Sequence, residues 1–228
     1  MRGFVGGLIL ATTPLAAVAA EPPVISFDRE LGVVSDYRYR GLSLSDERPA
    51  LQGGVTGSLA SGLYASVWAS AIDEYGAGAD GKGATVEVDY AVGWATAIAG
   101  LDVDIAVSRY TYPGGEGVAY FEFPVTIARS WNAWSAMVGG AYAPRQKALG
   151  TEDDGYGFGR LEWSPSSGPV TLAVQAGYET GAFAPGGKWD WSASVSRPLG
   201  PVTAELGFVD SDSDRAGGGL VAGLKVAF

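Results

Sequence analysis

The sequence predicts an all-β fold: a transmembrane up-and-down antiparallel barrel of about twelve strands, with short periplasmic turns and longer outer loops. Three observations predict it. From Phe27 to the last residue, Phe228, alternate residues are apolar in a dozen short segments, which is the period of a strand with one apolar and one mixed face. The connections between those segments alternate between short and long, as in outer-membrane barrels. From Glu21 onward there is no helical stripe longer than about two turns.

The first strand, Phe27–Arg40, places Leu31, Val33, Tyr37 and Tyr39 opposite Glu30, Asp36, Arg38 and Arg40. The second sets Leu51, Val55 and Leu59 against Gln52, Thr56 and Ser58. In the third, Leu63–Ala71, the facing is open, because Tyr64 and Trp68 oppose Leu63 and Val67. The pattern then sharpens: Val86 to Trp94 oppose Glu87 and Asp89, Leu101 to Val107 oppose Asp102 and Asp104, and Phe121 to Ile127 oppose Glu122. Strands through Trp134–Tyr142, Leu161–Trp163, Val170–Tyr178, Trp191–Val195, Val202–Phe208 and Leu220–Phe228 complete the set. Short connections fall at Ala60–Gly62, Ala99–Gly100, Arg129–Ala133, Pro165–Pro169 and Pro198–Pro201. Long ones fall at Gly41–Arg48, Asp73–Gly83, Tyr112–Gly117, Pro144–Gly155, Thr180–Lys188 and Asp210–Gly218. An even strand number keeps both termini on the periplasmic side.

Twelve strands enclose too wide an interior to fill easily with side chains, since about eight already leave just enough room. The apolar face is therefore expected against lipid and the charged face inside. A secreted β-sandwich is the alternative, but it would not need alternating connection lengths. Aromatic residues near strand ends, Tyr37, Tyr39, Trp94, Trp131, Trp134, Trp163, Tyr178 and Trp191, suit interfacial girdles.

Residues 1–20 read as a signal peptide, with Arg2 before an apolar run from Phe4 to Leu10, then Pro14 and small residues up to Ala20. The run is too short for a spanning helix. Residues 21–228 are then one transmembrane barrel domain, exported to a Gram-negative outer membrane. The 228-residue chain has no cysteine, so no disulfide framework is available, and 35 glycines, about twice the usual ~7%. Its formal charge of −10 argues against nucleic acid as a partner, since phosphate contacts need a basic excess.

The stretch Ser35–Gly54 reads SDYRYRGLSLSDERPALQGG. It resembles the opening signature of the TorF family of porins, small proteobacterial outer-membrane proteins. The likeness rests on Ser35-Asp36-Tyr37-Arg38, Arg40-Gly41, Ser45-Asp46, Pro49-Ala50 and Gln52-Gly53-Gly54, with Gly62, Tyr64 and Trp68 following. It implies a transmembrane barrel and transfers no catalytic or substrate residues. The terminal Phe228, behind alternating apolar residues, similarly resembles the signal that outer-membrane proteins present to the barrel-assembly machinery.

Motifs for other chemistry fail on their own terms. Gly76–Gly83 nearly spells a phosphate loop but lacks the Ser or Thr and the following helix. Gly155, Gly157 and Gly159 match a dinucleotide fingerprint only in their glycines. Asp210, Asp212 and Asp214 copy the start of a calcium loop, yet Arg215 and Val221 occupy its glycine and glutamate positions. The chain has no histidine, the base or orienting group that outer-membrane hydrolases use, so neither an enzyme, a metal site nor a cofactor is expected.

The candidate site is the lumen: Glu30, Asp36, Arg38, Arg40, Glu87, Asp89, Asp102, Asp104 and Glu122. Arg38 and Arg40 could form a basic ladder at a constriction. The alternative, favoured because paired charges are how a narrow barrel interior is normally satisfied, is a buried salt-bridge network with Glu87, Asp89, Asp102 or Asp104. The expected function is passive diffusion of small hydrophilic solutes or ions, weakly favouring cations. The alternative is a closed structural or adhesion-type barrel with a salt-bridged interior. The expected partners are outer-membrane lipid, lipopolysaccharide and the assembly machinery.

Overall fold

A computed structural model describes residues 25–166, 168–214 and 217–228. The expected leader, 1–20, and Arg215 lie outside the described residues. Twelve antiparallel strands close into one barrel. In chain order the strands are β1 (Ile25–Val34), a small inner hairpin of β2 (Arg38–Tyr39) and β3 (Leu42–Ser43), β4 (Ala50–Leu59), β5 (Leu63–Tyr75), β6 (Ala84–Ile98) and β7 (Leu101–Thr111). They continue with β8 (Tyr120–Trp131), β9 (Trp134–Ala143), β10 (Asp154–Trp163), β11 (Thr171–Gly181), β12 (Lys188–Leu199), β13 (Val202–Ser211) and β14 (Gly219–Ala227). Each barrel strand pairs with its sequence neighbours, and β1 pairs with β14 to close the wall. At that seam the backbones of Arg29 and Phe228 exchange N–H···O bonds of 3.1 and 3.0 Å.

The alternation sets the wall's two faces. Leu51, Val92 and Val138 are each at least 60% exposed on the outside, whereas Glu87, Glu122 and Glu179 on the inside are at most 2% exposed. This inverts the polarity of a water-soluble barrel, and a bilayer is the solvent that matches it. β5 faces unambiguously: Leu63 and Val67 point out, and Trp68 is buried inside at 6%. Among the described residues no helix is long and apolar enough to cross a membrane.

Tight turns occur where expected. Ala99 and Gly100 both have positive φ, 52° and 77°, the pattern of a two-residue hairpin that follows the strand twist. Trp94 donates its indole N–H to the Ser61 carbonyl at 3.0 Å, clasping the neighbouring turn. Trp94, Trp131, Trp134 and Trp163 stand exposed at the short-turn end, and Tyr178 and Trp191 at the long-loop end.

Tyr37 and Tyr39 do not join them, which corrects the reading of Phe27–Arg40 as a single strand. β1 stops at Val34. The chain then turns inward, and residues 35–49 fold into the outer half of the barrel around the β2–β3 hairpin. Tyr37 is 1% exposed and packs edge-on against Trp68, with ring centroids 5.5 Å apart. Its apolar cluster includes Val34, Ala50, Val209 and Val221. Burying this cluster stabilises the inward fold, and the charges carried with it find partners inside.

Candidate functional site in the barrel lumen

Two elements enter the outer half of the lumen. One is the inner loop, 35–49. The other is a second apolar cluster, in which Leu149, from the short turn Lys147–Leu149, packs with Tyr110, Tyr120 and Ala143, with Phe183 alongside. Arg40 lies between them.

Arg40 sits at the hairpin's tip with φ 47°, followed by Gly41 at φ 85°. A Cβ on Gly41 would lie 2.6 Å from the Ser211 Cβ and 2.9 Å from the Asp210 carbonyl, so only glycine lets the tip approach the wall and adopt this conformation. The guanidinium reaches on from there to carboxylates of β11, β10 and β8. Its Nη2 donates to Glu122 Oε1 at 2.6 Å and its Nη1 to Glu179 Oε1 at 2.7 Å, with Asp154 Oδ2 at 3.7 Å. It also stacks over Tyr156 and Tyr39, 4.3 and 4.7 Å from the ring centroids. Lys188 completes the network, its Nζ 2.7 Å from Glu179 Oε2 and donating to the Arg40 carbonyl at 2.6 Å. Strands β8, β10, β11 and β12 are thus tied to one loop residue.

Arg38 holds the loop's other side. Its Nε donates to Asp36 Oδ2 at 2.5 Å and its Nη1 to the Gly217 carbonyl at 2.7 Å. Gly219 makes room, since a Cβ there would lie 2.6 Å from Arg38 Nη2. Asp36 Oδ1 also accepts from the Ser43 hydroxyl at 2.6 Å. At the exposed rim, Arg48 pairs with Asp73.

The structure therefore gathers Asp36, Arg38, Arg40 and Glu122, and pairs the arginines with Asp36, Glu122 and Glu179. The expected pairing with Glu87, Asp89, Asp102 or Asp104 is not found among the described residues; this corrects that alternative. The reason is geometric: the arginines sit on an inward loop, not on the wall, so Arg38 pairs within that loop and Arg40 with carboxylates of β8 and β11. Glu87 and Asp89 are buried on β6, and Tyr112 donates to Glu87 Oε1 at 2.9 Å. Asp102 is exposed at the short-turn mouth. Asp104 accepts from the Tyr64 hydroxyl at 2.9 Å, and Glu30 lies 3.5 Å from Lys225 Nζ. Both belong to the more open inner half, together with the Arg160–Glu162 pair at 2.6 Å.

Asp154, Lys188 and Tyr156 were missed as site residues. The signal was strand parity: Asp154 shares its face with Tyr156, Arg160 and Glu162, and Lys188 shares one with Asp190. Both Asp154 and Lys188 fall inside the expected long connections, Pro144–Gly155 and Thr180–Lys188.

The sequence model of Gcw_chp, described as a bacterial protein of unknown function, matches residues 16–223. The chain belongs to the Gcw_chp family. No curated protein matches the chain in sequence. Among solved structures, this Gcw_chp chain is similar to the KdgM porin, with TM-score 0.61 and 8% identity over 88% of this chain and 99% of the porin. It is also similar to the NanC porin, with TM-score 0.57 and 11% identity over 89% and 98% of the two chains. A further structure, KdgM with a disordered oligogalacturonate, gives TM-score 0.56 at 7% identity, covering 88% and 95%. At these identities the likeness is one of fold, and it spans the whole barrel.

Proposed function

We propose that this Gcw_chp chain is an outer-membrane channel for passive diffusion of small hydrophilic solutes or ions, with a weak preference for cations. The observation that carries the proposal is the inverted wall: an apolar exterior suited to lipid around an interior of carboxylates, hydroxyls and paired cations. The porin fold of its structural neighbours and the TorF-like opening support the same reading. The cation preference rests on the surplus of acidic groups inside, where Glu87, Asp89, Asp154, Asp190 and Glu205 stand beside few free positive charges. Oligogalacturonate, the ligand of one neighbour, is a polyanion, and this lumen would repel it. The leader at 1–20, delivery by the barrel-assembly machinery through Phe228, and contact with lipopolysaccharide belong to the same proposal. The role proposed is transport, not catalysis.

Planar-bilayer recording of the refolded protein tests this. Discrete conductance steps are expected, with a reversal potential in a salt gradient displaced towards the cation value. Complete absence of steps at all voltages would overturn the channel. A specific observation favours a second reading, a closed barrel: Arg40 and its carboxylates span the outer half. Under that reading Arg40→Ala would be needed before any current appeared.

A further inference from the structure

Glu87 and Asp89 stand two residues apart on the inner face of β6, 2% and 4% exposed. Carboxyl groups so deeply buried either find a counter-charge or hold a proton. Yet Glu87 Oε2 and Asp89 Oδ1 are both buried without a hydrogen-bond partner. Among the described residues neither takes part in an ion pair. Arg40 is held by Glu122 and Glu179, Arg38 by Asp36, and Lys188 by Glu179. Ser66, inward on the neighbouring strand at 5% exposure, has an unpartnered hydroxyl as well.

Around these groups stand aromatic rings. Trp68 is the cross-strand partner of Asp89 on one side and Tyr110 its partner on the other. Tyr112 donates to Glu87. Tyr37, from the inner loop, covers Trp68 and lies within electrostatic reach of both carboxylates. Negative charge set among aromatic side chains favours a positively charged group that is only weakly hydrated. A hard metal ion would ask for six or more oxygen ligands, and among the described residues no group of three or more metal-ligating side chains comes together.

We propose that the outer lumen contains a binding site for a small organic ammonium ion, with Glu87 and Asp89 as its counter-charges and Tyr37, Trp68, Tyr110 and Tyr112 as its walls. The site names the solute class for the channel and rests on that reading only for the solute's passage. Binding itself does not require current.

The test uses the refolded full-length mature protein in detergent, with tetramethylammonium and 1,4-diaminobutane as probes and sodium chloride at matched ionic strength as control. Binding is read by calorimetry and by the fluorescence of Trp68, assigned with Trp68→Phe. Saturable binding is expected for at least one probe, weakened about tenfold or more in Glu87→Gln/Asp89→Asn, the scale of one lost charged contact. Heat-modifiable gel migration checks that the variant still folds; if it does not, the single variants Glu87→Gln and Asp89→Asn carry the same comparison. No saturable binding of either probe, unchanged affinity in the folded variants, or equal saturation by sodium would each overturn the site. A protein that conducts without binding loses the site and keeps the channel. One that binds without conducting loses the channel and keeps the site.

Discussion

Arg40 is 8% exposed, and its guanidinium is shared between two carboxylates and two aromatic rings. Removing one member of a buried ionic network strands the others, at a cost of about 3–5 kcal/mol. Arg40→Ala is therefore expected to lower the denaturant midpoint for loss of the folded gel band, and to leave Glu122 and Glu179 facing an emptier lumen. If the barrel conducts, unitary conductance should rise and the reversal potential should move further towards the cation limit. Unchanged conductance would place the solute path away from Arg40. Arg40→Lys should rescue only part of this, because an ammonium cannot serve two carboxylates through a planar fork. Residue facing on the wall was legible from parity, as for Glu87, Asp89 and Glu122. The partners of Arg38 and Arg40 were not, because they depend on where a loop folds in three dimensions and not on spacing along a strand.

Across neighbouring strands, small inward residues are set beside large ones. A Cβ on Gly93 would lie 2.5 Å from the Tyr64 ring, and one on Gly139 would lie 2.5 Å from the Phe158 ring. Both are cross-strand neighbours of the ring they accommodate, an aromatic side chain lying flat over a glycine. Gly139→Val is expected to cost about 1–3 kcal/mol through overpacking, seen as a lower denaturant midpoint. Gly155→Ala, where a Cβ meets no atom within 4 Å, should be near neutral. All twelve wall strands were legible from their lipid-facing apolar residues, though β10 only from Leu161 onward, because the earlier outward positions Gly155, Gly157 and Gly159 are glycine. The inner hairpin was not. Its Arg38–Tyr39 pair continues the alternation of β1 across the turn at Ser35, so the pattern reads as one longer strand and puts Tyr37 and Tyr39 on the wrong side of the wall.

Over the whole molecule, charge is sorted by direction. The acidic surplus faces the lumen, while Arg29, Arg129 and Arg197 are exposed on the outer face near the short-turn end, where their stems can lie along lipid and their heads can reach the interface. Selectivity that comes from summed lumen charge is screened by salt, with a Debye length of about 3 Å at 1 M against about 10 Å at 0.1 M. Cation preference should accordingly shrink as salt concentration rises, measured from reversal potentials at a fixed concentration ratio. A preference that held constant at high salt would point to a single tight contact instead. Replacing residues 36–47 with a short Gly-Ser link should give larger current steps if the inner loop narrows the path, and unaltered steps would show that it does not.

The seam between β1 and β14 also sets an order in time. Its backbone bonds join β1 to β14 as far as Arg29 and Phe228, so the cylinder cannot shut until β14 has been delivered. The loop that folds into the outer half follows β1 directly and lies beside that seam. It must be gathered inside before the last strand docks, or be threaded in afterwards through a finished mouth. A chain shortened by its C-terminal strand would leave two unpaired edges and an unenclosed loop, a species exposed to edge-to-edge association.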